Sequence, residues 1–211
     1  MMPAFFALLL LGLLSLGTPL EASVPPFQHG DRVAFIGDSI THGGRYHSDI
    51  YLYHATRFPN QPFVIHNCGI SGDTAPGTNI RFESDIAVHR PTVATIMLGM
   101  NDAYGWAFDP SLALQEKISA QASSYDQYTQ AMNQMAKRLA KMNCRMVFIK
   151  PSIYDQTAVL DQKNLVGKND QLGRFAEYID ELAIKYGASV VDFHTPMSVI
   201  NHVIQVSDPS A

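Results

Sequence analysis

Three short segments concentrate residues able to do chemistry: Gly37-Asp38-Ser39-Ile40-Thr41, Asn67-Cys68-Gly69-Ile70-Ser71-Gly72-Asp73-Thr74 and Gly99-Met100-Asn101-Asp102. A serine hydroxyl is a weak nucleophile until a base takes its proton and donors receive the oxyanion created by its attack. A backbone N–H on a glycine can approach a substrate closely, and an asparagine amide offers a side-chain donor. The chemistry that fits is acyl transfer. Each segment alone is equally a good turn, since Gly, Asp, Ser and Asn are turn formers. Asp38, Asp73, Thr74 and Asp102 are expected to bind nearby backbone N–H groups and hold the loops.

The elements that must position these loops follow from periodicity. Arg32 to Ile36 is a continuous apolar run ending at Gly37, the pattern of a buried strand. Phe63 to His66, Val93 to Leu98, Arg145 to Ile149 and Ser189 to Val191 are four more strands. Asp49 to Phe58 and Asn79 to Val88 read as helices. Tyr128, Met132, Met135, Leu139 and Met142 step by four and three along one helical face. Phe175, Ile179, Leu182 and Tyr186 repeat that spacing, with Gly187 as the stop. Met197 to Val206 is a last helical piece. Strands apolar on both faces, alternating with helices, specify a mostly parallel five-stranded sheet in a three-layer α/β/α sandwich. Such sheets bind ligands at the carboxyl ends of their strands. All three segments sit there.

In this order and at these places, the three segments resemble those of the SGNH/GDSL serine esterases. The resemblance covers most of the chain from Asp31 to about Phe193, and it implies the family's flavodoxin-like fold. It implies Ser39 as nucleophile, on a strand-to-helix turn whose bend Gly37 permits. It also implies three oxyanion donors: the Ser39 backbone N–H, the Gly72 N–H and the Asn101 side chain. Expected substrates are carboxylic esters, including O-acyl groups on carbohydrates; thioester hydrolysis or acyl transfer, and sugar binding without catalysis, are the alternatives.

The family's remaining pair, an Asp and a His three residues apart, has no match in the chain. The C-terminal part of the fold is therefore expected to be missing from this sequence. His194 and His202 are the histidines that follow the last strand and the remaining candidates for the base. His42 and His47 either line the pocket or sit on a solvated loop, and His66 and His89 lie at element edges. Tyr104, Trp106 and Phe108 follow Asn101 closely; they form either a platform for a sugar ring or acyl chain, or a cap on the core.

The chain has 211 residues, 46% hydrophobic and 16% charged, with net charge −4. That suits one domain and disfavours nucleic acid as a partner. Residues from Pro3 to Leu16 form an apolar run followed by small residues up to Ala22. We expect residues 1–22 to be a secretory signal peptide, 23–211 the esterase domain, and the product secreted or periplasmic without stable membrane insertion. The run is short for a membrane span. Cys68 and Cys144 are the two cysteines, expected as free buried thiols. With no CxxC or His/Cys cluster, no zinc or other metal is expected. No Gly-x-Gly-x-x-Gly follows the first strand, so no dinucleotide and no cofactor is expected.

Overall fold

The computed structural model describes residues 24–158 and 164–208. The expected leader lies outside them. Five strands form one sheet: β1 (Arg32–Gly37), β2 (Val64–Gly69), β3 (Val93–Met97), β4 (Arg145–Ile149) and β5 (Ser189–Val191). Every neighbouring pair is parallel, in the order β2-β1-β3-β4-β5. The chain moves outward from β1 to β2, then crosses back to β3. The exits of β1 and β3 therefore flank a topological switch point, where such folds open a crevice.

Alternation along the strands separates two cores. Ala34, Ile36, Ala94, Ile96 and Phe148 face one way, into the larger cluster with Phe82, Tyr128, Met132, Leu139, Phe175 and Ile179. Val33, Phe35, Val93 and Val147 face the other way, against Phe63, with Phe27, Tyr46 and Ile50 around them. The helices are α1 (Ser39–His42), α2 (Arg45–Arg57), α3 (Ala75–Ile80), α4 (Phe82–Asp85), α5 (Leu114–Lys141), α6 (Lys168–Tyr186) and α7 (His194–Ser207). Tyr128, Met132, Met135 and Leu139 of the stripe lie on the buried face of α5, and Met142 is the half-buried residue that follows it. Tyr128 stacks on Phe175 of α6 with ring centroids 4.0 Å apart. Burying each such ring contributes roughly 1.5–3 kcal/mol. Gly187 ends α6 in the left-handed region, φ +61°, as expected of a C′ residue.

Some boundaries differ from expectation. The helix expected from Asn79 to Val88 is α3, α4 and a 3-10 turn at Ala87–His89. Thr74 starts α3 early by accepting from Gly77 N, and the break falls at Arg81, whose side chain is committed elsewhere. Helix α2 begins at Arg45 because Gly44, φ +79°, supplies a left-handed entry. The edge strands are not buried on both faces: Val64 is 53% exposed, and all of β5 is half-buried. Helix α7 starts at His194 and buries none of its residues. Among the described residues, no helix is long and apolar enough to cross a membrane. Cys68 and Cys144 are buried and unpaired.

Candidate active site

Ser39 is the first residue of α1, exposed at the end of β1. Asp38 caps this helix, its Oδ1 accepting from Ile40 N at 3.0 Å. The first N–H groups of a helix lack partners within it, and the Ser39 N–H has no hydrogen-bond partner among the described residues. Helix α1 can sit on the sheet end because Gly37 and Gly69 have no side chains. A Cβ on Gly37 would meet Met97 O at 2.7 Å and collide with the Thr41 side chain. A Cβ on Gly69 would collide with His42 N. Neither glycine has positive φ. Gly37 is therefore required by contact and not, as expected, by the bend.

The second loop is tied to the first. Ile70 N donates to Gly37 O at 3.1 Å, and Asn67 Nδ2 to His42 O at 3.0 Å. Asp73 N donates to Ile70 O at 3.1 Å, with Gly72 at φ +80°. A positive φ at the third position is that of a type II turn, which favours glycine. The Gly72 N–H has no hydrogen-bond partner among the described residues, and a Cβ there would meet nothing within 4 Å.

The third loop closes on the second. Asn101 Nδ2 donates to Asp73 O at 2.9 Å, and its other amide hydrogen has no partner among the described residues. Asp102 Oδ1 accepts from Ala75 N at 2.8 Å, and Ser124 Oγ donates to Asp102 O at 2.6 Å. Asp73 in turn is held by Arg81, whose Nε and Nη2 both approach Oδ2 at 2.7 Å, and by Thr78. All four expected loop holders, Asp38, Asp73, Thr74 and Asp102, accept backbone N–H bonds.

Burial leaves this site electrostatically tense. Asp102 Oδ2 is buried without a partner, and its carboxyl is pushed up to about 7, mainly by burial. Asp38 is raised as well, again by burial, with Asp73 adding repulsion and Lys168 opposing it. Lys168 is a member of the site that sequence reading missed. It opens α6 and is 9% exposed, with its ammonium 5.4 Å from the Tyr154 ring centre. Burial lowers its pKa and the Asp38 charge partly offsets that. A lysine at a helix start reads as solvated, so no sequence signal could have found it.

The histidines divide differently from expectation. His42 is exposed on α1, and its Nδ1 is taken by Ser71 at 2.9 Å. His47 is not on a solvated loop; it is buried in α2, with its ring 4.8 Å from Phe35. His194 Nδ1 lies 3.3 Å from Pro151 O, and its Nε2 faces Gly173. His202 is exposed and lines a small recess with Tyr154, Asp155, Asn169 and Asn201. Among the described residues no histidine hydrogen-bonds the Ser39 hydroxyl. A larger recess of about 1030 Å³ runs along the free edge of β5, beside Lys150, Asp180 and Ile184. It contains none of the loop residues described above.

Residues 35–202 match the GDSL-like Lipase/Acylhydrolase family. An acetylxylan esterase of Geobacillus stearothermophilus is 31% identical over 91 residues, 36% of this chain and 41% of the esterase. A solved gut microbial diltiazem-metabolizing enzyme is 39% identical, with TM-score 0.81, over 89% of this chain and 42% of that one. The chain thus spans less than half the length of these two relatives. Axe2, the acetylxylan esterase of G. stearothermophilus, shares the fold at TM-score 0.67 and 20% identity, over 85% of this chain and 82% of its own. Catalytic mutants of Axe2 replace an aspartate, a serine or a histidine with alanine.

Proposed function

We propose that this chain, which belongs to the GDSL-like lipase/acylhydrolase family, hydrolyses carboxylic esters on carbohydrates with Ser39 as nucleophile. The observation that carries this reading is the hydrogen bond from Asn101 to Asp73 O, which ties an amide donor to the Gly72 turn, itself bonded to the loop of the exposed Ser39 through Ile70 N and Gly37 O. Attack of Ser39 Oγ on the ester carbonyl forms a tetrahedral oxyanion. The Ser39 N–H, the Gly72 N–H and the second Asn101 Nδ2 hydrogen receive that charge. The proton given up by Ser39 Oγ passes to the sugar alkoxide as its bond to the acyl carbon breaks, giving an acyl-enzyme. Water then adds its hydroxyl to the acyl carbon, and its proton restores Ser39 as the acid leaves. One relative is an acetylxylan esterase, so acetylated sugar is the ester to try first.

The test is labelling with a fluorophosphonate, followed by peptide mapping. Adduct on Ser39, lost in Ser39→Ala together with p-nitrophenyl acetate turnover, supports the assignment. Adduct elsewhere, or turnover that survives Ser39→Ala, sinks it. One observation favours a second reading: no described imidazole hydrogen-bonds the Ser39 hydroxyl. Under that reading the chain binds acylated sugar without cleaving it, and binding with no turnover of any ester would select it.

A further inference from the structure

We infer that Tyr104 and Trp106 form a platform for the sugar ring that carries or adjoins the ester, making acylated pyranosides the substrate class. This rests on the reading of the site as one for carbohydrate esters. In the turn that follows Asn101, Tyr104 is half-buried against the main core while Trp106 stands out into solvent. Ala103 and Ala107 are fully buried and Phe108 is 3% exposed, whereas Trp106 is 61% exposed. The three expected aromatics thus divide: Phe108 belongs to the core and Trp106 to the surface. The Tyr104 and Trp106 rings lie 12° from parallel with centroids 6.2 Å apart.

The backbone beneath them is fixed. Ala103 N donates to Gly99 O at 2.9 Å, Ala107 N to Tyr104 O at 2.9 Å, and Gln121 Nε2 to Ala107 O at 3.2 Å. Tyr104 OH donates to Gln127 Oε1 at 3.2 Å. The backbone that carries the rings, and the Tyr104 hydroxyl, are therefore held before any ligand arrives, which lowers the entropic cost of binding. Consecutive Cα atoms are about 3.8 Å apart, so three steps keep the Tyr104 Cα within about 11 Å of that of Asn101.

The chemistry distinguishes a sugar from an acyl chain. Acyl chains bind in enclosed apolar pockets that cover most of their surface. A ring 61% open to solvent cannot enclose one. A pyranose needs less: its C–H face lies on the electron-rich face of an aromatic ring while its hydroxyls stay in water. The solvent-open Trp106 ring, stacked against Tyr104, offers that face.

Trp106 is the chain's single tryptophan, so its fluorescence reports on the platform alone. The experiment titrates the full chain carrying Ser39→Ala with an acetylated xylooligosaccharide, reading tryptophan emission and calorimetric heat together. A saturable blue shift that tracks the heat is expected, with Kd raised about tenfold in Trp106→Ala. Binding heat without any change in emission, or unchanged affinity in Trp106→Ala, overturns the platform while leaving the esterase reading intact. No heat at all also overturns it. The emission shift, in a chain whose unmutated form cleaves no ester, upholds the platform and removes the hydrolase reading.

Discussion

Asn101 and Asp73 are joined across two strand-end loops: Asn101 Nδ2 donates to Asp73 O at 2.9 Å, 28 residues apart in sequence. That bond fixes the amide plane, so the remaining Nδ2 hydrogen has a set direction and needs no reorganisation when charge develops. Replacement of Asn101 by alanine is expected to lower kcat for p-nitrophenyl acetate by about 10²–10³. An equal drop in kcat and kcat/KM marks a contact made in the transition state. A change confined to KM would remove Asn101 from the oxyanion hole.

Asp73 depends on Arg81. Their side chains are 9% and 13% exposed, and the guanidinium also donates to Cys68 O at 2.8 Å. Arg81→Met leaves a buried carboxylate without its counter-ion, at a cost of about 3–5 kcal/mol. Urea unfolding measures it. Arg81→Lys keeps the charge but loses the planar two-nitrogen grip, and an intermediate loss is expected.

Asp102 makes stability depend on pH. Its folded carboxyl is pushed up to about 7, chiefly by burial, whereas an unfolded Asp titrates near ~3.9. Between these values the folded chain keeps a proton that the unfolded chain has released. The contribution of Asp102 is therefore fully present below about pH 4 and is lost as pH rises through about 7. Asp102→Asn should flatten the curve of Tm against pH across that window. Parallel curves for the two proteins would refute this origin.

The two thiols should be silent in the native protein. Burial pushes Cys68 up to about 11 and Cys144 up to about 12, and the thiolate is the reactive form. Ellman's reagent at pH 8 should therefore titrate neither thiol until denaturant is added, and then both. Rapid labelling of either without unfolding would contradict the burial described.

Glycine replacements should separate two kinds of requirement. Gly37→Ala forces a Cβ against Met97 O at 2.7 Å and into Thr41, so a loss of about 1–3 kcal/mol in stability is expected from overpacking. Gly72→Ala meets no atom within 4 Å but sits at φ +80°. Its cost is the left-handed strain alone, about 1–2 kcal/mol. Calorimetry on the two variants, beside their esterase rates, checks both.

Much of this was legible because the loops carry chemistry and the elements carry period. The β1 run, the α5 stripe and the Gly187 stop each follow from one local rule, and the structure has all three. What escaped depended on contacts between distant residues. The break of the expected helix at Arg81 follows from its bond to Asp73, eight residues away on another loop. Sequence alone leaves His47 pocket-lining or on a solvated loop, because nothing local announces Phe35 beneath it. Gly37 suggests a bend locally, whereas its reason is the close approach of the Thr41 side chain and Met97 O. Lys168 is held by Tyr154 and faces Asp38, both remote in sequence.

The strand order has a kinetic consequence. The three loops leave β2, β1 and β3, which lie side by side, and the bonds that join them span 25 to 33 residues. Each such closure costs chain entropy before its contacts reward it. No local unit of the chain can therefore hold the oxyanion donors in place ahead of the sheet. On refolding, esterase competence should return with the pairing of β1 to both neighbours, and a proteolytic nick anywhere between residues 37 and 102 that frees one strand should abolish it.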